Sequence, residues 1–219
     1  ANMAPVIVKK MGLEILMPDI NHSASSFAPE GKNIRFGLAA VKNVGSNIVQ
    51  AIIEERQRRG HFQSFTDFLT RVQHRDLNKK SLESLIKCGA LDCFGIERNR
   101  ALENIDEIIK FNGALRRDQK TNQTGLFASF ANNGVSLKLK PATPATPHAK
   151  LLWEKELLGL YVSDHPLNQH KIKLAAYHVK PIKEALAIKS ETNRFGIGGL
   201  RITHVCISPR NGTSGCIGF

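Results

Sequence analysis

The chain has 219 residues, enough for one or two domains with a real core, and its 42% hydrophobic content argues against wholesale disorder. Lys and Arg number 31 against 19 Asp and Glu, a formal charge of +12 and a pI near 9.8, which favours a polyanionic partner, nucleic acid first. No apolar run is long enough to span a bilayer and no charged-then-apolar leader is present; Cys88, Cys93, Cys206 and Cys216 fit neither a Cys-x-x-Cys pair nor a metal spacing, so reduced thiols, no metal site, no membrane partner and a cytoplasmic location are expected.

Residues 1–35 combine a short strand-like run, Leu13 to Met17, with turn chemistry at Pro18-Asp19 and Glu30-Gly31-Lys32, an irregular lead into the helical part. From Gly37 to Arg59 the pattern is two short helices joined by a hairpin. Leu38, Val41 and Val44 recur at three-residue spacing, and Ile48, Val49, Ile52 and Ile53 resume a helical stripe after the break. Between them the chain must reverse, and Asn43 and Gly45 are the residues best suited to positive φ, with Ser46 or Asn47 available to cap the second helix. A phosphodiester can approach a glycine backbone closely, and free N–H groups at a helix start favour an anion. Lys42, Asn43, Gly45, Ser46 and Asn47 are therefore candidate phosphate contacts that position a nucleic acid without reading its sequence. The basic residues gather around this stretch, from Arg56 and Arg71 to Lys80, Lys87, Arg98 and Arg100.

Phe65 to Val72 predicts a short amphipathic helix, and Asn78 opens another whose apolar positions Leu82, Leu85 and Ile86 end at Cys88-Gly89-Ala90-Leu91. That end predicts a second hairpin, with Lys87, Gly89, Ala90 and Leu91 as candidate phosphate contacts. A single helix is expected from about Arg98 to Arg116. Residues 121–150 depart from helical periodicity, and Asn132 to Lys150, with Pro141, Pro144 and Pro147 among Ala and Thr, reads as a linker. A helix is predicted from Leu151 to Val162 and a short one from Pro181 to Ala187, within a connector over 151–192. From 193 the texture becomes β, with alternating Leu200, Ile202 and Val205 before the turn Pro209-Arg210-Asn211-Gly212.

Four stretches carry a resemblance: Met17-Pro18-Asp19-Ile20-Asn21, Ile34 through Lys42, Leu85 through Asp92, and Glu154 through Tyr161 followed by His165-Pro166-Leu167. In order and spacing they are similar to the alpha subunits of bacterial DNA polymerase III. The resemblance implies a mainly α fold: the end of the fingers over 1–35, a tandem helix-hairpin-helix domain over 36–120, a clamp-binding motif and linker over 121–150, a helical connector over 151–192, and the truncated start of an OB-fold over 193–219. It implies duplex DNA, the sliding clamp and other replisome subunits as partners. It also gives Gln123, Leu126 and Phe127 a role, since the family's clamp-binding motif has a Gln, a spacer and a Leu or Met followed by Phe. The family usually has Gly where this chain has Asn43, which adds a side chain near the phosphate.

Polymerase chemistry needs carboxylates that hold two Mg²⁺ ions, and this chain has no Asp-x-Asp pair. Catalytic residues and a cofactor are expected in the parent polymerase, with none here. Glu54, Glu55, Asp106 and Glu107 read as solvated helix faces or ion pairs. An enzymatic alternative rests on Ser163-Asp164-His165 beside His170, but adjacent turn residues rarely adopt triad geometry. A third reading is a protein-interaction adaptor whose charge serves only solubility.

Overall fold

The computed structural model describes residues 12–121, 137, 139–170 and 172, together with short strand pieces at 180–181, 197–198, 205–207 and 215–217. The chain divides into two compact units, Ala1–Asp164 and His165–Phe219. The first is mainly helical, with one small sheet.

That sheet comprises β1 (Ile15–Leu16), β2 (Ala28–Glu30) and β3 (Asn33–Arg35) in the order β1-β3-β2, β1 parallel and β2 antiparallel to the central strand. After β1 the Pro18-Asp19-Ile20-Asn21 turn ties the lead to the helices. The Asn21 N–H donates to its own turn at Asp19 Oδ1 (2.7 Å), while its carboxamide donates to the Phe62 carbonyl (3.0 Å) and accepts from the Phe62 N–H (2.8 Å). One side chain thus replaces a pair of ladder bonds between segments 41 positions apart.

After β3 a single 3₁₀ turn, Leu38–Ala40, stands where the sequence predicts the hairpin's first helix. Leu38 is buried there, and the chain leaves the turn at Val41, which is extended (φ −76°, ψ 124°). Helix α1 (Ser46–Arg59) follows, burying Ile48, Val49 and Ile52 as its stripe requires. Helix α2 (Phe65–Arg71) is capped by Ser64, whose hydroxyl accepts from the Asp67 N–H at 3.1 Å. Helix α3 (Lys79–Lys87) opens with a capping box, Asn78 and Ser81 each accepting from the other's backbone N–H (3.1 and 3.0 Å). Leu82, Leu85 and Ile86 point from α3 into the core formed with Phe36, Leu38, Phe65, Phe68 and Ile108.

The helix expected from Arg98 breaks at Asn104 into α4 (Arg98–Glu103) and α5 (Ile105–Thr121). The break has a cause in distant sequence. Asn104 is buried, donates to the carbonyls of Arg100 (2.8 Å) and Lys140 (3.1 Å), and accepts from the Lys140 N–H (2.9 Å). Residues 139–146, predicted as linker, are accordingly a docked strap. Arg100 donates to the Leu139 carbonyl (2.7 Å), Asn99 to that of Thr143 (2.8 Å), and the Ala145 N–H donates to the Glu97 carboxylate (2.9 Å).

The strap ends in Thr146, the N-cap of α6 (Pro147–Leu158), with Pro147 in the first turn and Gly159 left-handed at the far end. The helix therefore starts four residues before the predicted Leu151 and stops before Val162. Glu154 is fully buried and accepts from the N–H groups of Val162 and Ser163 (both 3.0 Å) and the Ser163 hydroxyl (2.6 Å).

In the second unit a 3₁₀ turn (Pro166–His170) precedes β4 (Lys180–Pro181), parallel to β5 (Ile197–Gly198), and β6 (Val205–Ile207), antiparallel to β7 (Gly215–Ile217). Pro181, expected to begin a helix, lies in β4. The predicted β character after residue 193 appears in β5, β6 and β7.

Candidate nucleic-acid interface

The first hairpin runs from the 3₁₀ turn through Val41–Gly45 into α1. Val41 and Val44 are buried, and Lys42, Asn43, Gly45, Ser46 and Asn47 between and after them are exposed. The reversal is made by Asn43, at φ 66°, as the sequence suggests; among the described residues it is the one non-glycine at positive φ. Gly45 differs from expectation. It sits at φ −73°, ψ 155°, and is itself the N-cap of α1, with Ser46 already the first helical residue. No side chain caps this helix and its first turn holds no acid. An ideal Cβ on Gly45 would meet nothing within 4 Å. The start of α1 is therefore an open concentration of backbone N–H groups and positive dipole, the arrangement that binds phosphate oxygens.

The loop is held on two sides. The Lys42 N–H donates to the Leu157 carbonyl on α6 (3.0 Å), and the Asn43 carboxamide donates to Ser84 Oγ on α3 (3.3 Å). Asn47 donates to the Asp76 carboxylate (3.3 Å), so its side chain is engaged while its backbone remains at the helix start.

The second hairpin is built for a different purpose. The Gly89 N–H bonds to the Ile86 carbonyl (3.1 Å) and the Ala90 N–H to that of Leu85 (3.1 Å), with Gly89 at φ 82°; this is a Schellman end to α3. Gly89, Ala90 and Leu91 are buried, and the Ala90 carbonyl accepts from the Ile20 N–H of the lead (2.9 Å). The Arg98 guanidinium lies over Gly89, donating to the Lys87 carbonyl (3.1 Å) and to both Asp92 oxygens (2.5–3.1 Å). Gly89, Ala90 and Leu91, expected from the sequence to touch phosphate, are thus buried, with the N–H groups of Gly89 and Ala90 and the carbonyls of all three bonded within the fold. Lys87, half-buried, remains at the surface edge.

Burial also sorts the basic cluster. Arg56 donates to the carbonyls of Ile20 (2.8 Å) and Ser23 (3.0 Å), tying down the lead. Arg71 stacks over the Phe62 ring (4.4 Å) and pairs with Glu55 (3.2 Å) and Asp67 (3.1 Å). Glu55, predicted as a solvated face or ion pair, is a buried hub that also takes Arg58 (2.6 Å) and Arg59 (3.2 Å). Burial pushes its carboxyl pKa up, and the Arg58 and Arg71 hydrogen bonds with the Arg59 charge outweigh that, leaving it below the ordinary value. Burial likewise pushes the Cys88 thiol up to about 12 and Cys93 to about 11, so both are poor nucleophiles. Ser163, the candidate nucleophile of the enzymatic alternative, has its hydroxyl committed to Glu154. Gln123, Leu126 and Phe127 lie outside the described residues.

A family model described as a helix-hairpin-helix motif matches residues 12–101, the lead, both hairpins and the start of α4. The chain is 40% identical over 166 residues to the DNA polymerase III subunit alpha of Deinococcus radiodurans, 42% over 159 residues to that of Thermus aquaticus, and 34% over 206 residues to that of Borreliella burgdorferi. These alignments cover 74%, 73% and 93% of this chain. The chain belongs to the DNA polymerase III alpha subunit family. It spans 12%, 13% and 18% of the length of those three relatives, so it corresponds to a limited part of such a subunit. Among the described residues no helix is long and apolar enough to cross a membrane, and no cluster of His, Cys, Asp or Glu is arranged to hold a metal ion.

Proposed function

We propose that this chain is a non-catalytic segment of a bacterial replicative polymerase that holds the backbone of duplex DNA through its first hairpin and tethers the enzyme to the sliding clamp through Gln123, Leu126 and Phe127. The observation that carries the DNA part is the start of α1, uncapped by a side chain and with no acidic residue in its first turn, presented on a loop whose exposed residues are Lys42, Asn43, Gly45, Ser46 and Asn47. Such contacts are sequence-independent, which suits a polymerase moving along any template.

The clamp part is supported by the sequence pattern and family membership. An extended segment inserting Leu126 and Phe127 into an apolar pocket gains roughly 3–6 kcal/mol before ordering costs, enough for micromolar binding, and tethering to a ring converts that into processivity. The β strands of the second unit are read as the start of an OB-fold, and the surrounding partners as the other replisome subunits.

Two titrations test the reading. Duplex DNA should bind this chain with a steep salt dependence, and Lys42→Ala should weaken binding equally for all sequences and make the salt slope shallower by about one unit. The cognate clamp should bind saturably, and the Gln123→Ala, Leu126→Ala, Phe127→Ala triple variant should lose that binding. Clamp binding that persists in the triple variant removes the tether assignment; salt-insensitive DNA binding removes the hairpin.

A further inference from the structure

Once each described cation is matched to its partners, the unmatched ones show a pattern. Arg35, Arg58, Arg59, Arg71, Arg75 and Arg98 are all in ion pairs. Lys79 is paired with Asp106 at 2.6 Å. Lys42, Lys80 and Lys87 have no ion pair among the described residues. Lys32, in the β2–β3 turn, and Lys140, on the strap, are likewise without an ion pair but lie on other elements, while Lys155 on α6 donates to the Gly159 carbonyl and Arg56, Arg100 and Arg116 donate to backbone carbonyls.

Lys80, Ser84 and Lys87 occupy i, i+4 and i+7 on α3 and so share one helix face. Ser84 on that face is the residue that receives the Asn43 carboxamide from the hairpin (3.3 Å). The phosphate-facing loop and the two free lysines of α3 are thus joined by one side-chain hydrogen bond. Lys80 and Lys87 are about 10 Å apart along the axis at 1.5 Å per residue, the axial span of about three phosphates of one strand at 3.4 Å each.

We propose that Lys80 and Lys87, on either side of the buried Ser84 on α3, form a second phosphate-contact row used together with the first hairpin, and that Asn43 is the positioning residue that holds the two in register through Ser84. The proposal rests on the DNA reading above. It also gives a purpose to asparagine at the reversal: glycine would satisfy φ 66° alone, whereas asparagine satisfies it and reaches α3. Glu83 lies on the same side of α3, three residues from Lys80 and four from Lys87, and forms no ion pair with either; its charge opposes the contact.

The test is fluorescence anisotropy of this chain on duplex DNA across a salt series, with thermal melts to verify folding. Lys80→Ala and Lys87→Ala should each lower affinity several-fold and reduce the salt slope by about one unit, and the double variant by about two. Glu83→Gln should raise affinity. Asn43→Gly, which retains the backbone conformation, and Ser84→Ala should each weaken binding at unchanged slope, and their combination should be no worse than either alone. If Lys80→Ala and Lys87→Ala leave affinity and slope unchanged while Lys42→Ala still makes the slope shallower, the second row is refuted and the hairpin reading stands. If Asn43→Gly binds as the wild type does, the positioning role is refuted. Absence of duplex binding by the wild-type chain overturns both readings together.

Discussion

Two glycines at corresponding places in the two hairpins should respond to the same substitution in opposite ways. At Gly89 an added Cβ would lie 2.3 Å from the nearer Arg98 nitrogen, at a φ of +82° that L-residues rarely adopt. The conformational penalty is about 1–2 kcal/mol. Displacing a guanidinium that is only 8% exposed, and that holds Lys87 and Asp92 together, costs about 1.5–3 kcal/mol more. Gly89→Ala should therefore lose about 2.5–5 kcal/mol, a large share of the stability of a domain this size. In urea, with a slope of about 2 kcal/mol/M, that lowers the midpoint by about 2 M. Combining it with Arg98→Ala should be less than additive, because both remove the same clasp.

Gly45→Ala presents the converse case. Its φ of −73° is open to alanine and its Cβ meets nothing, so the loss should be limited to about 1 kcal/mol for a poorer N-cap residue. The methyl group would instead stand in the path of the proposed phosphate contact, and duplex affinity should fall roughly 5- to 10-fold, about 1–1.4 kcal/mol. A wild-type midpoint for Gly89→Ala, or wild-type affinity for Gly45→Ala, would refute the division of labour between the hairpins.

Glu154→Ala, which strands the N–H groups of Val162 and Ser163, should cost about 3 kcal/mol in the same urea assay, while Glu154→Gln should retain part of the loss through its remaining acceptor. Asn104→Ala should release the strap, lowering stability by about 2 kcal/mol and exposing residues 139–146 to limited proteolysis, detected by mass spectrometry of the fragments. Acid should destabilise the first unit through Glu55. Its folded pKa lies below the ordinary 4.5, so its contribution is complete above that pH and is lost as the pH falls through the folded value. Stability measured from pH 6 down to pH 2 should show a decline in that window that is reduced in Glu55→Gln.

The local elements were legible in the sequence because their causes lie within a turn or two of one another. The apolar stripe of α1, the asparagine that opens α3 and the glycine that closes it, and the left-handed Asn43 each depend on neighbouring residues, and all are observed. The four ordered stretches that resemble the polymerase family are equally a property of sequence, and the relatives bear out the family they point to.

What required tertiary structure was the assignment of roles to residues of one chemical type. Gly45 and Gly89 read alike, yet one opens to solvent and the other lies under Arg98; Ala90 is covered because the lead, 70 positions earlier, bonds to it. Arg56, Arg71 and Arg98 read like Lys42 and Lys80, yet their guanidinium groups are consumed by Ile20 and Ser23, by Glu55 and Asp67, and by Lys87 and Asp92. The break at Asn104 and the docking of the strap arise from one carboxamide meeting a backbone 36 positions away. Composition specifies how much charge a chain carries. Long-range hydrogen bonding decides which charges remain free to meet a phosphate, because a buried guanidinium must find acceptors wherever the fold supplies them.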